Sequence, residues 1–328
     1  MTETNPATGL DGRALVKGHA LESDVLLLID PDLEVALSAS DVVAVCDRRT
    51  GLGADVFVRA ARTAAVDGTQ ALLAAAPDAQ WFLDAYDAAG SPLGADGLAA
   101  AVMAEALLAE QLVTAEAPVT IATRAGARTL TRSADLWSID MGPATLVRPA
   151  DAVADVDTEG WDTAVTVPGL AGEHAALSVC LSTARPEPHT VVALADAAEL
   201  DAALLAVDAP DPVYEPVPQA GAVLDLVVLT EDVPPAGQEA DGDEPRSVHA
   251  RARVLAPGVG ERPSSASGCC AVAVALHEWL APEAPEHYVI DVPGGQAGVS
   301  VGADPWAPQA TVVLVVQAVL TGRASLGA

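Results

Sequence analysis

The sequence predicts an α+β protein in which each half of the chain wraps strands around one buried helix. Three observations carry this. Residues 98–113 and 271–280 are built of helix formers and are apolar on most faces, so neither has a solvent side. Short aliphatic runs, separated by turn residues, precede and follow each of those helices. The core inventory is aliphatic: 51% of the 328 residues are hydrophobic but only 3% are aromatic, which suits Ala, Val and Leu strands better than an aromatic-anchored sandwich.

In the first half, residues 24–30 read as a strand, 39–48 as a helix and 56–60 as a strand. The alanine-rich stretch 63–78 reads as an inserted helix or loop. Residues 81–86 alternate like a strand, and the helix 98–113 has no internal Gly or Pro. Strands follow at 119–124, 129–132 and 137–141. The second half repeats the plan, with strands at 175–181, 190–194, 224–230 and 248–255, the helix 271–280, then strands at 288–292, 297–301 and 311–320. The proline-rich run 208–218 reads as a connector, and 238–246, rich in Glu, Asp, Gly and Pro, as a solvated loop or disordered insertion.

A formal charge of −30, with Lys17 the only lysine, repels nucleic acid and anionic membranes. It reads as solubility and overall composition, or as a surface for a basic partner. The four cysteines, Cys46, Cys180, Cys269 and Cys270, have no zinc-ligand spacing, so no metal is expected. Residues 1–11 are polar and lack the apolar core of a signal peptide, and 310–320 is too short to span a bilayer. These features read as a reduced, cytoplasmic protein.

The stretch Gly258-Val259-Gly260-Glu261-Arg262-Pro263-Ser264-Ser265-Ala266-Ser267-Gly268-Cys269-Cys270 reads as a strand end, a glycine-rich turn and the start of an apolar helix. Such a turn directs bare backbone N–H groups at an anion, most simply a carboxylate. Further motifs lie in order along the chain. They are Lys17-Gly18-His19 with Asp24, then Cys46 through Asp55, then Tyr86-Asp87-Ala88-Ala89-Gly90-Ser91 with Gly94-Ala95-Asp96-Gly97. Asp140-Met141-Gly142-Pro143, Pro188-His189 and Val292-Pro293-Gly294-Gly295 complete them. Together they resemble the diaminopimelate epimerase family over nearly the whole chain.

That resemblance implies two similar domains, each a mixed sheet curled into a barrel around a central helix. The first would comprise residues 1–135, completed by a strand at 310–325, and the second 136–309. It also implies a cofactor-independent isomerase of the lysine and cell-wall precursor pathway, with a small amino-acid-like ligand in the cleft between the domains. A homodimer is left open. In the family, one cysteine thiolate removes the α-proton and a second thiol returns a proton from the opposite face.

The chain departs from that pattern where the chemistry lies. The positions matching the family cysteines hold Gly94 and Ser265. Glycine has no group to exchange a proton, and a serine hydroxyl is a poor base. The family's recognition asparagines correspond to Ser23, Asp87 and Glu187, and its Glu-Arg pair to Ala256-Pro257. Asp87, Asp96 and Glu187 add negative charge where a carboxylate should bind, and loss of the arginine removes a bidentate clamp. Gly97, Glu261, Ser267 and Gly268 remain candidates for ligand contact. Asp96 reads as a helix N-cap or an acid, and His189 as a structural residue or a base. Cys269 and Cys270 read as buried residues of the second helix. The expectation is a family member impaired in epimerisation; the alternative is an active epimerase, isomerase or lyase using other residues of the cleft.

Overall fold

A computed structural model describes residues 9–146, 162–181, 187–217, 223–230 and 247–327. The chain divides into two compact units, Met1–Ile139 with Val316–Ala328, and Asp140–Val315. The stretch 238–246 lies outside the described residues. Among the described residues, no helix is long and apolar enough to cross a membrane.

The first unit holds β1 (Ala14–Ala20), β2 (Ser23–Ile29), α1 (Ala39–Cys46), β3 (Val56–Arg62), α2 (Gln70–Ala75), β4 (Trp81–Asp87), α3 (Gly97–Ala109), β5 (Val119–Thr123), β6 (Gly126–Ser133) and most of β7 (Leu136–Asp140). Its strands pair in chain order. β2 with β3 and β4 with β5 are parallel, and the other pairs are antiparallel. The second unit holds β8 (Thr145–Leu146), β9 (Thr163–Thr166), β10 (His174–Cys180), β11 (His189–Ala193), α4 (Ala197–Ala202), β12 (Val213–Glu215) and β13 (Val223–Leu229). It continues with β14 (Ser247–Ala256), β15 (Gly260–Arg262), α5 (Ala266–Leu280), β16 (His287–Val292), β17 (Gly295–Val301) and the start of β18 (Val312–Ser325). Here β11 with β13 and β14 with β16 are the parallel pairs.

The long strand β18 serves both units. Its first residues, Val312 to Val315, pair with β17, and Ala318 to Ser325 pair with β1. It also borders β7, which closes β1 to β7 and β18 into an eight-stranded ring. The second ring closes through residues 141–146. The Met141 N–H donates to the Val312 carbonyl and the Val312 N–H to the Gly142 carbonyl, each at 2.9 Å, and β8 pairs with β10.

Each ring encloses its long helix. α3 packs on β1, β2, β3 and β4 and is buried continuously from Gly97 to Ala104. Its one half-buried charge, Glu105, accepts from Trp137 Nε1 at 2.9 Å and pairs with Arg132 at 3.2 Å, so β6 and β7 cover that side. α5 packs on β10, β11, β13, β14, β16 and β17. The helix starts follow from capping: Asp96 accepts the Ala99 N–H, and Ser265 the Gly268 N–H. α3 stops at Ala109, short of residue 113, because Gln111 turns left-handed at φ 59°; the run of helix formers carries no glycine to signal that stop.

The run 208–218 is not wholly a connector. Val213, Tyr214 and Glu215 form β12 on the edge beside β9, flanked by Pro212 and Pro216. Proline cannot donate to a ladder, so it confines such a strand to a short edge piece.

The two rings repeat one order of elements, which no sequence identity between the halves revealed. The registers align them: Val25 faces Val56 and Leu27 faces Val58 in the first, and His189 faces Val223 and Val191 faces Asp225 in the second. Counted from the first pair of each ladder, Val25 and Val58 stand where His189 and Asp225 do.

At the β2 end of the first unit, Arg48 bridges Asp24 at 2.7 Å and Asp55 at 2.8 Å, and Lys17 Nζ lies 3.3 Å from Asp24 and donates to the Gly53 carbonyl. Burial works against the Asp24 charge, but the Arg48 and Lys17 contacts outweigh it and hold its carboxyl below the ordinary range. A depressed carboxyl contributes stability above its unfolded pKa and loses it as pH falls through the folded one. Urea midpoints of the parent should therefore fall below pH 4 more steeply than those of Asp24→Asn, which is weaker at neutral pH. Placing a charge on either enclosed helix, Ala101→Asp or Ala273→Asp, should cost about 3–5 kcal/mol of unfolding free energy. Variants that melt with the parent would remove these helices from the core.

Candidate functional site

The turn leading into α5 is shaped by two left-handed glycines, Gly258 at φ 70° and Gly260 at φ 91°. At Gly260 an added Cβ would meet the backbone N of Val207 at 2.8 Å, so only glycine fits this close approach. The chain then runs through Ser264 to the N-cap Ser265, whose Oγ accepts the Gly268 N–H at 3.1 Å. The group at the family's cysteine position is therefore committed to holding the helix start.

Two residues on, the Ser267 Oγ lies 2.8 Å from His189 Nε2, and His189 Nδ1 lies 2.7 Å from Asp225 Oδ2. The Ser265 and Ser267 hydroxyls are 3.3 Å apart. Parallel pairing of β11 and β13 sets His189 beside Asp225, and the packing of both strands on α5 brings them to Ser267. His189 and Asp225 have no exposed surface, whereas Ser267 is half-buried.

Burial pushes the Asp225 carboxyl up, and the His189 contact only partly reverses this. Burial also disfavours the imidazolium, but the Asp225 charge and hydrogen bond outweigh it and raise His189. With Asp225 ionised, Nδ1–H donates to its carboxylate, leaving Nε2 to accept the Ser267 hydroxyl; the tautomer is assigned from this network. Asp225 Oδ1 is buried without a hydrogen-bond partner. It sits against Gly268, where an added Cβ would lie 2.6 Å away.

The other cysteines offer no substitute thiolate. Cys269 is buried, which together with the Asp225 charge pushes its thiol up to about 12; burial likewise lifts Cys270 well above the ordinary range. Burial and Asp55 raise Cys46 to about 11, and Cys180 ends β10 in the core.

The remaining candidates lie apart from this chain of hydrogen bonds. Glu187 is exposed two residues before His189, and its charge reaches both His189 and Asp225. Glu261 is held by Arg253 through two bonds of 2.7 and 2.9 Å. In the first unit, Asp87 accepts the Ala89 and Ser91 N–H groups of its own turn at 3.0 and 2.8 Å. The Gly94 carbonyl accepts the Ala125 N–H at 3.0 Å. Asp96 caps α3, with Gly97 buried as its first residue, and Ser23 opens β2 opposite Ala20. Among the described residues, no cluster of three His, Cys, Asp or Glu side chains could hold a metal.

Asp225 is the site residue that the sequence reading missed. Its signal was a lone carboxylate inside Val223-Leu224-Asp225-Leu226-Val227-Val228, a strand otherwise apolar.

No family model matches the chain. A diaminopimelate epimerase of Streptomyces coelicolor is 30% identical over 295 residues, covering 86% of each chain. That of Thermobifida fusca is 41% identical over 160 residues, 47% of this chain, and the chain spans only 57% of that enzyme's length. Among solved structures, a PhzF-family phenazine biosynthesis protein of Bacillus anthracis superposes with a TM-score of 0.65 at 11% identity, over 96% of this chain and 98% of its own, which shows a shared fold. With the match over 86% of the Streptomyces enzyme, the motifs and the paired helix-centred rings, the chain belongs to the diaminopimelate epimerase family.

Proposed function

We propose that this chain is a member of the family that does not epimerise diaminopimelate, and that its α5 turn binds a small carboxylate-bearing, amino-acid-like ligand. The observation that carries this reading is Gly94 and Ser265 at the two cysteine positions, with the Ser265 hydroxyl engaged as an N-cap. A two-base inversion needs an ionisable group on each face of the α-carbon. Gly94 offers none, and a capping hydroxyl that accepts a backbone N–H is no base near neutral pH. The buried, high-pKa thiols of Cys269 and Cys270 do not replace it. What supports ligand binding is the glycine turn and the first-turn N–H groups of α5, an arrangement suited to a carboxylate.

The test is incorporation of solvent deuterium at the α-carbon, with purified protein and each diaminopimelate stereoisomer. The expected result is exchange no faster than without protein, together with a thermal shift from at least one small amino acid. Exchange well above that background would overturn the loss of epimerisation. A second variant sharpens the reading. Gly94→Cys with Ser265→Cys should stay at the background rate, because Ser23, Asp87, Glu187 and Ala256 still stand where the family recognises substrate. Losing the Ser265 cap should also cost that variant about 1 kcal/mol of stability. Strong exchange by the double variant would show that recognition survives and only the thiols are missing.

A further inference from the structure

We infer that Ser267, His189 and Asp225 form a nucleophilic relay, and that the second unit carries an acyl-transfer site that hydrolyses small activated esters. Three observations point there. The hydrogen bonds run unbroken from a half-buried hydroxyl through an imidazole to a buried carboxylate, at 2.8 and 2.7 Å. This is the geometry in which a histidine takes a serine proton while an acid fixes its tautomer.

The second observation comes from the repeat. Counted from the first pair of each parallel ladder, Val25 and Val58 stand where His189 and Asp225 do. Both counterparts are buried hydrocarbon. The first ring closes on hydrocarbon there, so the acid and imidazole of the second carry a desolvation cost that the fold itself does not require. Third, Asp225 Oδ1 has no partner although the residue is wholly buried, so packing does not satisfy this carboxylate. Gly268 is the residue that leaves room for it.

In the first step the Ser267 Oγ–H proton passes to His189 Nε2 as Oγ bonds to the acyl carbon, and the carbonyl π pair moves onto oxygen. Among the first-turn N–H groups of α5, those of Ala266 and Ser267 have no intrahelical acceptor and would face that oxyanion. Collapse breaks the bond to the alkoxide, which leaves with the proton from His189. Water then adds to the acyl carbon, again giving its proton to His189, and Ser267 Oγ departs and recovers that proton. The products are the free acid and the alcohol. Ser267 and His189 are the reacting groups, and Asp225 is a positioning residue. This goes beyond the loss of epimerisation and does not rest on it, since labelling and α-proton exchange are read separately.

The experiment treats the full chain with a small alkyl fluorophosphonate, whose fluoride leaves as serine oxygen bonds to phosphorus. Mass spectrometry then locates the adduct, and p-nitrophenyl acetate serves as the ester. We expect one adduct per chain, on Ser267, and none there in Ser267→Ala. Labelling in His189→Gln should fall at least about 100-fold. Asp225→Asn should lower the rate and alter its pH profile while Ser267 remains the site. The parent rate should follow a single ionisation of His189. Asp225 on β13, Glu187 before β11 and Arg262 on β15 act on that imidazole, with Tyr214 on β12 and Cys269 on α5 near Asp225. If His189→Gln does not fold, the parent pH profile and Ser267→Ala decide. No adduct at Ser267, or a pH-independent rate like that of free serine, would overturn the proposal.

Discussion

A helix enclosed by strands on every side can offer chemistry only at its ends. That constraint governs both units. α3 and α5 have no solvent face along their middle turns, and their apolar side chains face the surrounding strands. Polar function is left to the first turn, where N–H groups lack acceptors and a capping residue must stand. In both helices the cap is short and polar, Asp96 or Ser265, and accepts from the third residue of the helix. In the second unit Ser267, whose hydroxyl meets His189, stands in that same first turn.

The same constraint explains what the sequence made legible. A helix apolar on most faces announces its burial, and glycines that must be left-handed or crowded against backbone keep their spacing around it. That is why the helices, the Gly258-to-Gly268 turn and the order of motifs could be read directly. β9 and β12 are brief and α4 spans only six residues, so none has enough periodicity to stand out. β1 mixes Lys17, Gly18 and His19 among apolar residues, which blurs its pattern. Asp225 was hidden for another reason. Its meaning depends on a partner 36 residues away and on a hydroxyl from a third element, a distance that no local pattern spans.

The two rings also show how a duplicated plan can diverge at fixed backbone. The parallel registers are preserved while the side chains at matching positions differ in kind, hydrocarbon in one ring and a hydrogen-bonded acid and imidazole in the other. Sequence comparison between the halves sees only the difference. Strand register recovers the equivalence, because it counts positions and ignores identity.

The strand shared by both rings has a consequence for how the chain acquires its shape. β1 finds its partner in β18 about three hundred residues later, so Ala14 sits opposite Ser325. The first ring cannot close as it leaves the ribosome; it must wait with an open edge until the second ring has been made. Pairings of such long sequence separation fold slowly and leave strand edges exposed meanwhile. An acidic chain, repelling its own copies, is well suited to survive that interval without aggregating.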